Sequence, residues 1–314
     1  MTTGLLFFRP AFSADRSQPS RLMLRIAIPN KGRLAEETRS LFDQAGLELV
    51  ARGERALTAS LGGVFEAILV RAQDIPEFVA DGAADAGITG LDLIAESGRH
   101  LESLTDLGFG RCRLAVAATD TSGIREVGDI PPGTRVATSF PRSTARFFAE
   151  AAIDVTLVPV SGAAEIAPHL GIADVIVDLV STGSTLRVNG LREVTTILES
   201  TARVVIAGDG AGASRAPDGR RRAIDDLVSS LDSVICARGQ RYLMANVHRD
   251  RLAEVQAILP GLNGPTVIDV MNGGDNMVAV HAVVTAARIY RTISELRAIG
   301  ARGILVTRIE RLVP

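Results

Sequence analysis

Short apolar runs alternate with amphipathic segments along most of the chain. Runs dominated by aliphatic residues are typical of strands buried on both faces, and they occur at 24–28, 65–70, 85–88, 111–118, 135–138 and 174–180. Helical patterns follow several of these runs, at about 34–45, from about 75, at 90–96 and at 141–151. The alternation predicts an α/β fold with mostly parallel sheets over residues 24–205.

The last third of the chain has a different pattern of predicted elements. A glycine-rich segment, 208–219, lacks apolar periodicity and predicts a loop, and a helix is predicted at about 220–238. Strands and helices are then expected at 241–247, 250–259, 265–270, 277–284, 286–299 and 303–309, the β-α-β-β-α-β order of a ferredoxin-like module. We therefore expect an α/β body over residues 23–238 and a small module over residues 239–314, able to bind a regulatory ligand or hold subunits together.

Composition excludes several classes of protein. The chain has 314 residues, 46% of them hydrophobic, a net charge of −2, no Trp and two Tyr, so neither a basic surface nor an aromatic platform for nucleic acid is expected. No apolar run is long enough to span a bilayer. Cys112 and Cys236 belong to no CxxC pair, which favours a reducing, cytoplasmic setting. Residues 1–22 match no secretion signal, and we expect a disordered tail or an artefact of start-site choice.

Residues 174–186, reading DVIVDLVSTGSTL, combine a buried strand with a polar turn. Asp178 lies inside the strand, where a carboxylate without a partner is costly to bury. The turn offers four hydroxyls and one glycine that can surround an anion, on Ser181, Thr182, Gly183, Ser184 and Thr185. An ordinary strand-to-helix turn is the structural alternative, and the pattern is not a P-loop because no Gly-Lys-Ser/Thr follows. Together these features suggest a phosphate site beside an acidic group.

Three more loops follow predicted strands, where ligands bind in α/β proteins. Residues 31–33 place two cations around a glycine, and a solvated turn is the alternative. Residues 87–92 contain two glycines that would let the backbone approach a ligand, although taken alone this loop favours a tight strand-to-helix turn. Residues 138–142 put a pair of hydroxyls before a helix that starts with proline, which is also consistent with a helix cap alone.

Five segments resemble the ATP phosphoribosyltransferase family, the first enzymes of histidine biosynthesis. They read LRIAIPNKGRL, DIPEFVADGAADAGITGLDLI, GRCRLAVA, VATSFP and GIADVIVDLVSTGSTLRVNGLREV. The resemblance runs in order from about residue 24 to residue 314, and the 171–194 segment is highly specific. The C-terminal module resembles that of the family's long form, which senses histidine.

The resemblance implies a fold, a reaction and partners. The body would be two-lobed, like a periplasmic binding protein, with a ferredoxin-like, ACT-like C-terminal domain. Adenine nitrogen 1 of ATP would attack the anomeric carbon of phosphoribosyl pyrophosphate and expel pyrophosphate. Mg²⁺ would arrive on the polyphosphates, because no dense carboxylate cage is evident. Histidine would inhibit, and a homo-oligomer is expected, a hexamer or possibly a dimer.

The same resemblance assigns roles to individual residues. The 181–185 turn would hold the ribose 5-phosphate, Asp178 would bind the ribose hydroxyls, and Asp174 would assist from the same face of the strand. Catalytic roles would fall to Asp178, Arg33 and Lys31. The ATP side would be formed by Lys31, Gly32, Arg33, Arg71, Thr89, Asp92, Ser139 and Glu165. The histidine site would involve Asn246, Leu262, Thr266 and Gly303.

Two other functions are compatible with parts of the pattern. A two-lobed solute-binding protein would share the body, but it predicts a secretion signal and a cleft tuned to one small ligand. A catalytically silent amino-acid sensor would keep the fold, yet it would be free to lose Asp178 or Arg33. The four histidines show no metal-ligand spacing, so no protein-held metal is expected.

Overall fold

The structure is a computed structural model that describes residues 23–53, 56–208, 218–271 and 276–313. Elements are numbered in chain order. The first lobe is a seven-stranded sheet in the order β2-β3-β4-β1-β5-β12-β6. Its strands are β1 Leu24–Pro29, β2 Leu49–Ala51, β3 Thr58–Leu61, β4 Phe65–Val70, β5 Ala86–Gly90, β6 Leu101–Asp106 and β12 Ala202–Ala207. Its helices are α1 Ala35–Gln44, α2 Ile75–Ala80, α3 Leu91–Ser97 and α6 Asp218–Ala237. Buried aliphatic residues of α1 and α6 pack with β1 and β4 in its core.

The second lobe is a five-stranded sheet in the order β11-β7-β10-β8-β9. Its strands are β7 Cys112–Thr119, β8 Thr134–Thr138, β9 Val155–Pro159, β10 Val175–Val180 and β11 Leu191–Ser200, and its helices are α4 Pro141–Glu150 and α5 Ser184–Val188. The first three residues of β10 are fully buried, as its unbroken aliphatic run predicts.

Two chain crossings join the lobes side by side. The chain leaves β6 for β7 through residues 107–111, and it returns from β11 to β12 through residue 201. The first crossing bonds to the start of β12, where Leu107 N donates to Ala202 O (2.9 Å) and Ala202 N donates to Phe109 O (3.0 Å). The body is therefore two-lobed, as the family resemblance implied.

Strand direction differs from expectation. Among the described residues, four strand pairings in the two lobes are parallel and six are antiparallel. The β2-β3-β4 meander and the strands beside the crossings, β7, β11 and β12, supply the antiparallel pairs. The expectation of mostly parallel sheets was wrong. In each lobe, the strand that leads into a crossing lies beside the strand that returns from the other crossing, so the two run in opposite directions.

Helix α3 links the lobes more closely than the chain order suggests. Leu93 packs against the core of the second lobe. The Glu96 carboxylate accepts hydrogen bonds from the backbone N–H groups of Arg142 and Ser143, both at 2.9 Å, in the first turn of α4. A carboxylate is favourable at a helix N-terminus, so this contact fastens α3 to the second lobe.

The C-terminal module is an antiparallel sheet in the order β14-β15-β13-β16. Its elements are β13 Gln240–His248, α7 Leu252–Ile258, β14 Thr266–Asp269, β15 Met277–Thr285, α8 Ile289–Ala298 and β16 Arg302–Arg308, which is the predicted β-α-β-β-α-β order. Alternate residues of β13 and β15 are buried in one core with residues of both helices, leaving the other face of the sheet open.

Two predicted features fall outside the described residues. They are the tail at 1–22 and most of the loop at 208–219, of which residue 208 and the start of α6 are described. None of the helices in the described ranges combines the length and the apolar character needed to cross a bilayer.

Candidate active site

The polar turn at 181–185 lies directly after the buried strand β10. Gly183 has φ +73°, a left-handed conformation that favours glycine, and it begins the short helix α5. The hydroxyls of Thr182 and Ser184 lie 2.8 Å apart. The turn borders a cavity of about 140 Å³, which we call the cup, lined by Glu165, Asp178, Leu179, Val180, Ser181, Thr182, Gly183, Thr185 and Leu186. The structure therefore brings Asp178 and the turn together, as the sequence predicts.

Two arginines beside the turn were not singled out from the sequence. Arg113 Nη1 donates to Ser181 O at 3.3 Å, and Arg187 Nη1 donates to Thr182 O at 3.4 Å. A Cβ added to Gly183 would lie 3.3 Å from Arg187 Nη1 and 3.9 Å from Arg113 Nη2. Arg187 could have been noticed from its place two residues after the turn. Arg113 could not, because only the antiparallel pairing of β7 with β10 sets it opposite Val180.

Asp178 has an electrostatic environment that disfavours its charge. Burial raises the pKa of the Asp178 carboxyl, and the neighbouring Glu165 raises it further, against a hydrogen bond from Leu179 N. Neither a salt bridge nor a side-chain hydrogen bond to Asp178 occurs within the described residues. A half-buried carboxylate without a cation costs stability, which indicates that it is kept for binding or chemistry.

Asp174 is not brought to the cup. Strand β10 begins one residue after it, so Asp174 lies at the opposite end of the strand from the turn. Its carboxylate forms a salt bridge with Arg135 Nη2 at 2.9 Å, and hydrogen bonds from Arg135 lower the pKa of the Asp174 carboxyl. The period of the strand does put both aspartates on one face, but four residues of extended chain separate them by about 13 Å. Asp174 therefore holds two strand ends together.

The cations predicted for the first lobe lie at the carboxyl ends of β1 and β4. These parallel strands end in register at Pro29 and Val70, so residues 31–33 and Arg71 follow neighbouring strands. Asn30 N donates to Val70 O at 2.8 Å and ties the two loops together. Lys31 and Arg71 are exposed, and Gly32 has φ +86°. The structure thus groups Lys31, Gly32 and Arg71 at one sheet edge.

The Arg33 guanidinium forms its hydrogen bonds at the junction of the lobes. Its Nη2 lies 3.1 Å from both oxygens of the fully buried Asp92 carboxylate, and its Nη1 donates to Gly110 O. The hydroxyl of Ser200 also donates to Asp92, and Asp92 N donates back to the Ser200 hydroxyl at 3.0 Å. Arg33, Asp92 and Ser200 therefore join a loop of the first lobe, helix α3 and the end of β11.

Two residues expected at the nucleotide are engaged elsewhere. Asp92 is fully buried and fully bonded, and the fully buried Thr89 donates its hydroxyl to Ala72 O at 2.8 Å. Their side chains are therefore not exposed to a ligand, because the buried turn needs them as internal partners.

Glu165 lies in the cup beside Asp178 rather than apart from it. Ser139, half-buried, directly follows β8.

A second cavity, of about 320 Å³, lies next to the cup at the junction of the lobes. Ser181 lines both cavities, which makes them neighbours. Three arginines and two carboxylates surround it, and its lining is Asp106, Arg111, Cys112, Arg113, Ser181, Glu199, Ser200, Thr201 and Arg203. Arg203 pairs with Asp106 at 3.1 Å, whereas Arg111 forms no ion pair within the described ranges. Arg113 pairs with Glu193 at 2.6 Å, so Arg111 is the arginine of this lining without an ion-pair partner among the described residues.

One buried thiol, Cys112, lines the cavity at the junction of the lobes. Burial, together with the charge of Asp92, raises the pKa of the Cys112 thiol, so a reactive thiolate is disfavoured. No group of three or more metal-ligating side chains occurs among the described residues. The donors that border the cup are the hydroxyls of the 181–185 turn and the guanidinium groups of Arg113 and Arg187.

The residues proposed for histidine fall on the C-terminal module. Asn246 pairs with Ala279, which pairs with Ile268, so Asn246 and Thr266 share the open face of the sheet. A Cβ added to Gly303 would lie 3.1 Å from Asn246 Nδ2, which places these two residues in contact. Leu262 is 55% exposed in the loop after α7. The structure groups Asn246 with Gly303 most directly.

The two aspartates of the β10 segment provide opposite tests of the electrostatics. The folded state holds the Asp178 proton more tightly than the unfolded chain, so stability falls as the pH rises from 3.8 through the raised pKa. Asp178→Asn should therefore raise the free energy of unfolding at pH 7, and the gain should shrink as the pH approaches 4. Denaturant unfolding at several pH values measures this.

Asp174→Asn is the matched control with the reverse sign. In the wild-type protein, the lowered pKa of the Asp174 carboxyl contributes stability above pH 3.8. This stability is lost as the pH falls through the pKa of the folded state, so the variant should be less stable than wild type at pH 7. The loss should be small, because both partners are nearly half exposed. Destabilisation of the protein by Asp178→Asn at pH 7 would contradict the assignment of Asp178 as an uncompensated carboxylate.

The chain matches two family models in sequence. Residues 71–233 match HisG, described as ATP phosphoribosyltransferase, and residues 237–311 match the HisG C-terminal domain. The chain is similar to ATP phosphoribosyltransferases of Gemmatimonas aurantiaca, 67% identical, and Haloarcula marismortui, 47% identical, over 93% and 92% of this chain and all of each relative.

A solved structure agrees with these matches. The ATP phosphoribosyltransferase (HisG:HisZ) complex from Thermotoga maritima aligns with a TM-score of 0.59 and 28% identity, over 68% of this chain and 98% of that chain. This chain combines a two-lobed body, a hydroxyl-rich turn beside Asp178 and a C-terminal module. Its sequence matches cover both the body and the module. The chain belongs to the ATP phosphoribosyltransferase family, which catalyses the first step of histidine biosynthesis.

Proposed function

We propose that the cup and the adjoining junction of the lobes bind phosphoribosyl pyrophosphate and ATP for transfer of the phosphoribosyl group to adenine nitrogen 1. The observation that carries the proposal is the turn at 181–185, which shares one cavity with the uncompensated carboxylate of Asp178. A sugar phosphate needs this combination, because its phosphate takes N–H and O–H donors while its hydroxyls donate to a carboxylate.

Positioning is the main task that the chemistry sets for this chain. The nucleophile belongs to ATP, so no activated serine or cysteine is needed. The turn would bind the 5-phosphate through the N–H and O–H groups of residues 181–185. Asp178 would accept hydrogen bonds from the ribose and favour the positive charge that develops on the ring as pyrophosphate leaves. Arg187 would add positive potential beside the turn, whereas the charge of Arg113 is already paired with Glu193 at 2.6 Å.

The cations of the first lobe would receive the polyphosphates. Lys31 and Arg71 are exposed on neighbouring loops and are suited to phosphate oxygens. Arg33 would act mainly by holding residues 31–33 in place, because Asp92 and Gly110 already take hydrogen bonds from its guanidinium. Gly32 and Ser139 would contribute through loop shape and a hydroxyl, respectively.

A magnesium ion on the substrates fits the donors that are present. The cup offers two carboxylates, Asp178 and Glu165, which is too few for a protein-only cage but sufficient for a site completed by phosphates and water. When bound, the ion would neutralise charge on pyrophosphate. Asp178 and Glu165 would be its partners on the protein, directly or through water.

Regulation and assembly form the second part of the proposal. Asn246, Thr266 and Gly303, with Leu262 nearby in sequence, would bind histidine as a feedback inhibitor on the C-terminal module. We expect a cytoplasmic homo-oligomer, a hexamer or a dimer. The Thermotoga maritima relative was solved as a complex of two kinds of chain, which supports assembly in the family.

The two competing functions fit less well. A solute-binding protein would need no turn of this kind, and relatives of full length are named as the transferase. A silent amino-acid sensor would have no need to keep a destabilising Asp178 in an otherwise complete cup. Both would bind a ligand without forming product, which the next experiment measures.

The proposed function is tested by a spectrophotometric assay of the purified protein with ATP, phosphoribosyl pyrophosphate and Mg²⁺. We expect absorbance growth from phosphoribosyl-ATP and its suppression by histidine. Growth that ignores histidine would keep the enzyme and remove the histidine site. Folded protein that forms no product would favour the silent sensor.

Asp178→Asn should leave the fold intact and lower turnover at least about tenfold, corresponding to ~1.4 kcal/mol of lost transition-state stabilisation. The reason is that an amide cannot favour the charge that develops on the ribose ring. Steady-state kinetics at saturating substrates provide the measurement, with Asp174→Asn as the control at the far end of the same strand. Equal turnover in wild type and Asp178→Asn would remove Asp178 from the mechanism.

Thr185→Val should raise the KM for phosphoribosyl pyrophosphate more than the KM for ATP. The variant loses a hydroxyl that lines the cup but retains the shape of the side chain. Thr156→Val, at an exposed position on β9, is the control and should change neither KM. Equal increases in both KM values for Thr185→Val would contradict the placement of the 5-phosphate in the cup.

A further inference from the structure

The chain returns to the first lobe after its last strand. Residues 310–313, which we call the C-terminal strap, follow β16 and lie against α6. Leu312 N donates to Ser233 O at 2.8 Å, and Arg311 Nη1 donates to the Ser230 hydroxyl at 3.2 Å. Only Ile309 and Glu310 separate β16 from Arg311, so a displacement of β16 must displace the strap or stretch these contacts.

The strap also reaches the C-terminus of helix α1. Arg311 Nη2 donates to Ala45 O, the carbonyl at the end of that helix. The last turn of α1 contains no basic residue, so the cation that its dipole favours comes from a residue 266 positions away in sequence. Gly46 has φ +72°, and a Cβ there would lie 3.2 Å from Arg311 Nη2, so glycine leaves room for the guanidinium.

Helix α1 connects this contact to residues 31–33, the loop whose cations are proposed to receive the polyphosphates. It is a ten-residue helix of about 15 Å, and the fully buried Leu41 and Phe42 hold its last turn in the core. Its other end follows residues 31–33, and Ala35 N donates back to Gly32 O at 3.1 Å. A shift of α1 therefore moves the loop that carries Lys31 and the Arg33–Asp92 ion pair.

The opposite end of the connection lies in the C-terminal module. Gly303 is on the edge strand β16, in contact with Asn246 on β13, at a point where the pairing of the two strands is irregular. An irregular edge strand can shift with less loss of hydrogen bonding than a central strand. Events at Asn246 and Gly303 thus act on the strand that leads directly into the strap.

We propose that the C-terminal strap couples the module to residues 31–33 through helix α1, with Arg311 as the positioning residue. The strap, the helix and the loop form one continuous series of bonded elements. The kinetic consequence of this coupling rests on the proposed function, whereas the coupling itself can be measured without substrate.

Amide hydrogen exchange on the full chain tests the coupling. Arg311→Ala should raise exchange rates at 43–47 and also at 30–35, by at least about threefold, because the helix end and the loop both lose their restraint. Arg311→Lys retains a cation at the helix terminus and should restore most of the protection. Arg308→Ala, an exposed β16 arginine whose guanidinium makes no hydrogen bond within the described ranges, should change neither segment. An increase confined to 43–47 would reduce Arg311 to a local cap and overturn the proposal.

A double-mutant comparison tests transmission from the module. Gly303→Ala forces a Cβ against Asn246 at a left-handed φ of +57° and should alter exchange at 30–35. The alteration should be largely lost in the Arg311→Ala background, which is the signature of coupled sites. Equal changes in both backgrounds, or no change in either, would overturn the proposal.

Kinetics separate this inference from the proposed function. Arg311→Ala should raise the KM for a polyphosphate substrate by about threefold or more with a smaller change in kcat, because Lys31 would be misplaced while Asp178 is not. Wild-type protein that forms no product would contradict the proposed function alone, since the exchange experiments would still decide the coupling.

Discussion

The buried carboxylate of Asp92 is the constraint on which the arrangement of the lobes depends. A fully buried charge must have partners, and removing one partner of a buried ion pair costs about 3–5 kcal/mol. Asp92, on helix α3, finds its side-chain partners in two places: Arg33 after β1 and Ser200 at the end of β11. Arg33 in turn donates to Gly110 O in the 107–111 crossing, and Ser200 directly precedes residue 201 of the second crossing. One charge therefore fixes the loop, the helix and both chain crossings relative to one another.

Asp178 shows the opposite use of a carboxylate. It lies in the cup without a cation, beside a second acid that raises its pKa. Asp92 and Asp178 are the same residue type in the sequence, but they have different roles in the structure. Asp92 has its internal partners and stabilises the junction, whereas Asp178 lacks them and is available to a ligand. The apolar position of β10 in the middle of its sheet raises the cost of the Asp178 charge, and burial of the other aliphatic side chains of the strand offsets that cost.

The C-terminal module is also connected to the first lobe by a few specific hydrogen bonds. Its sheet packs its own core with α7 and α8, and its chain end returns to α1 and α6 through the strap. Helix α1 thus has the site loop at one end and the strap at the other. Glu96, on α3 of the first lobe, performs a comparable task by fastening that helix to the first turn of α4 in the second lobe.

The sequence alone determined the order of elements in the module, the strand β10 with its polar turn, and the family, because periodicity and turn chemistry are local properties. Only the tertiary structure decided strand direction at the crossings, which antiparallel pairing imposed. It also showed that Asp92 and Thr89 serve as internal partners, and that Asp174 lies at the far end of β10 from the cup. Arg113 and Arg311 reach their partners from strands or segments distant in sequence. Such contacts depend on pairing and packing across the fold, which no local pattern encodes.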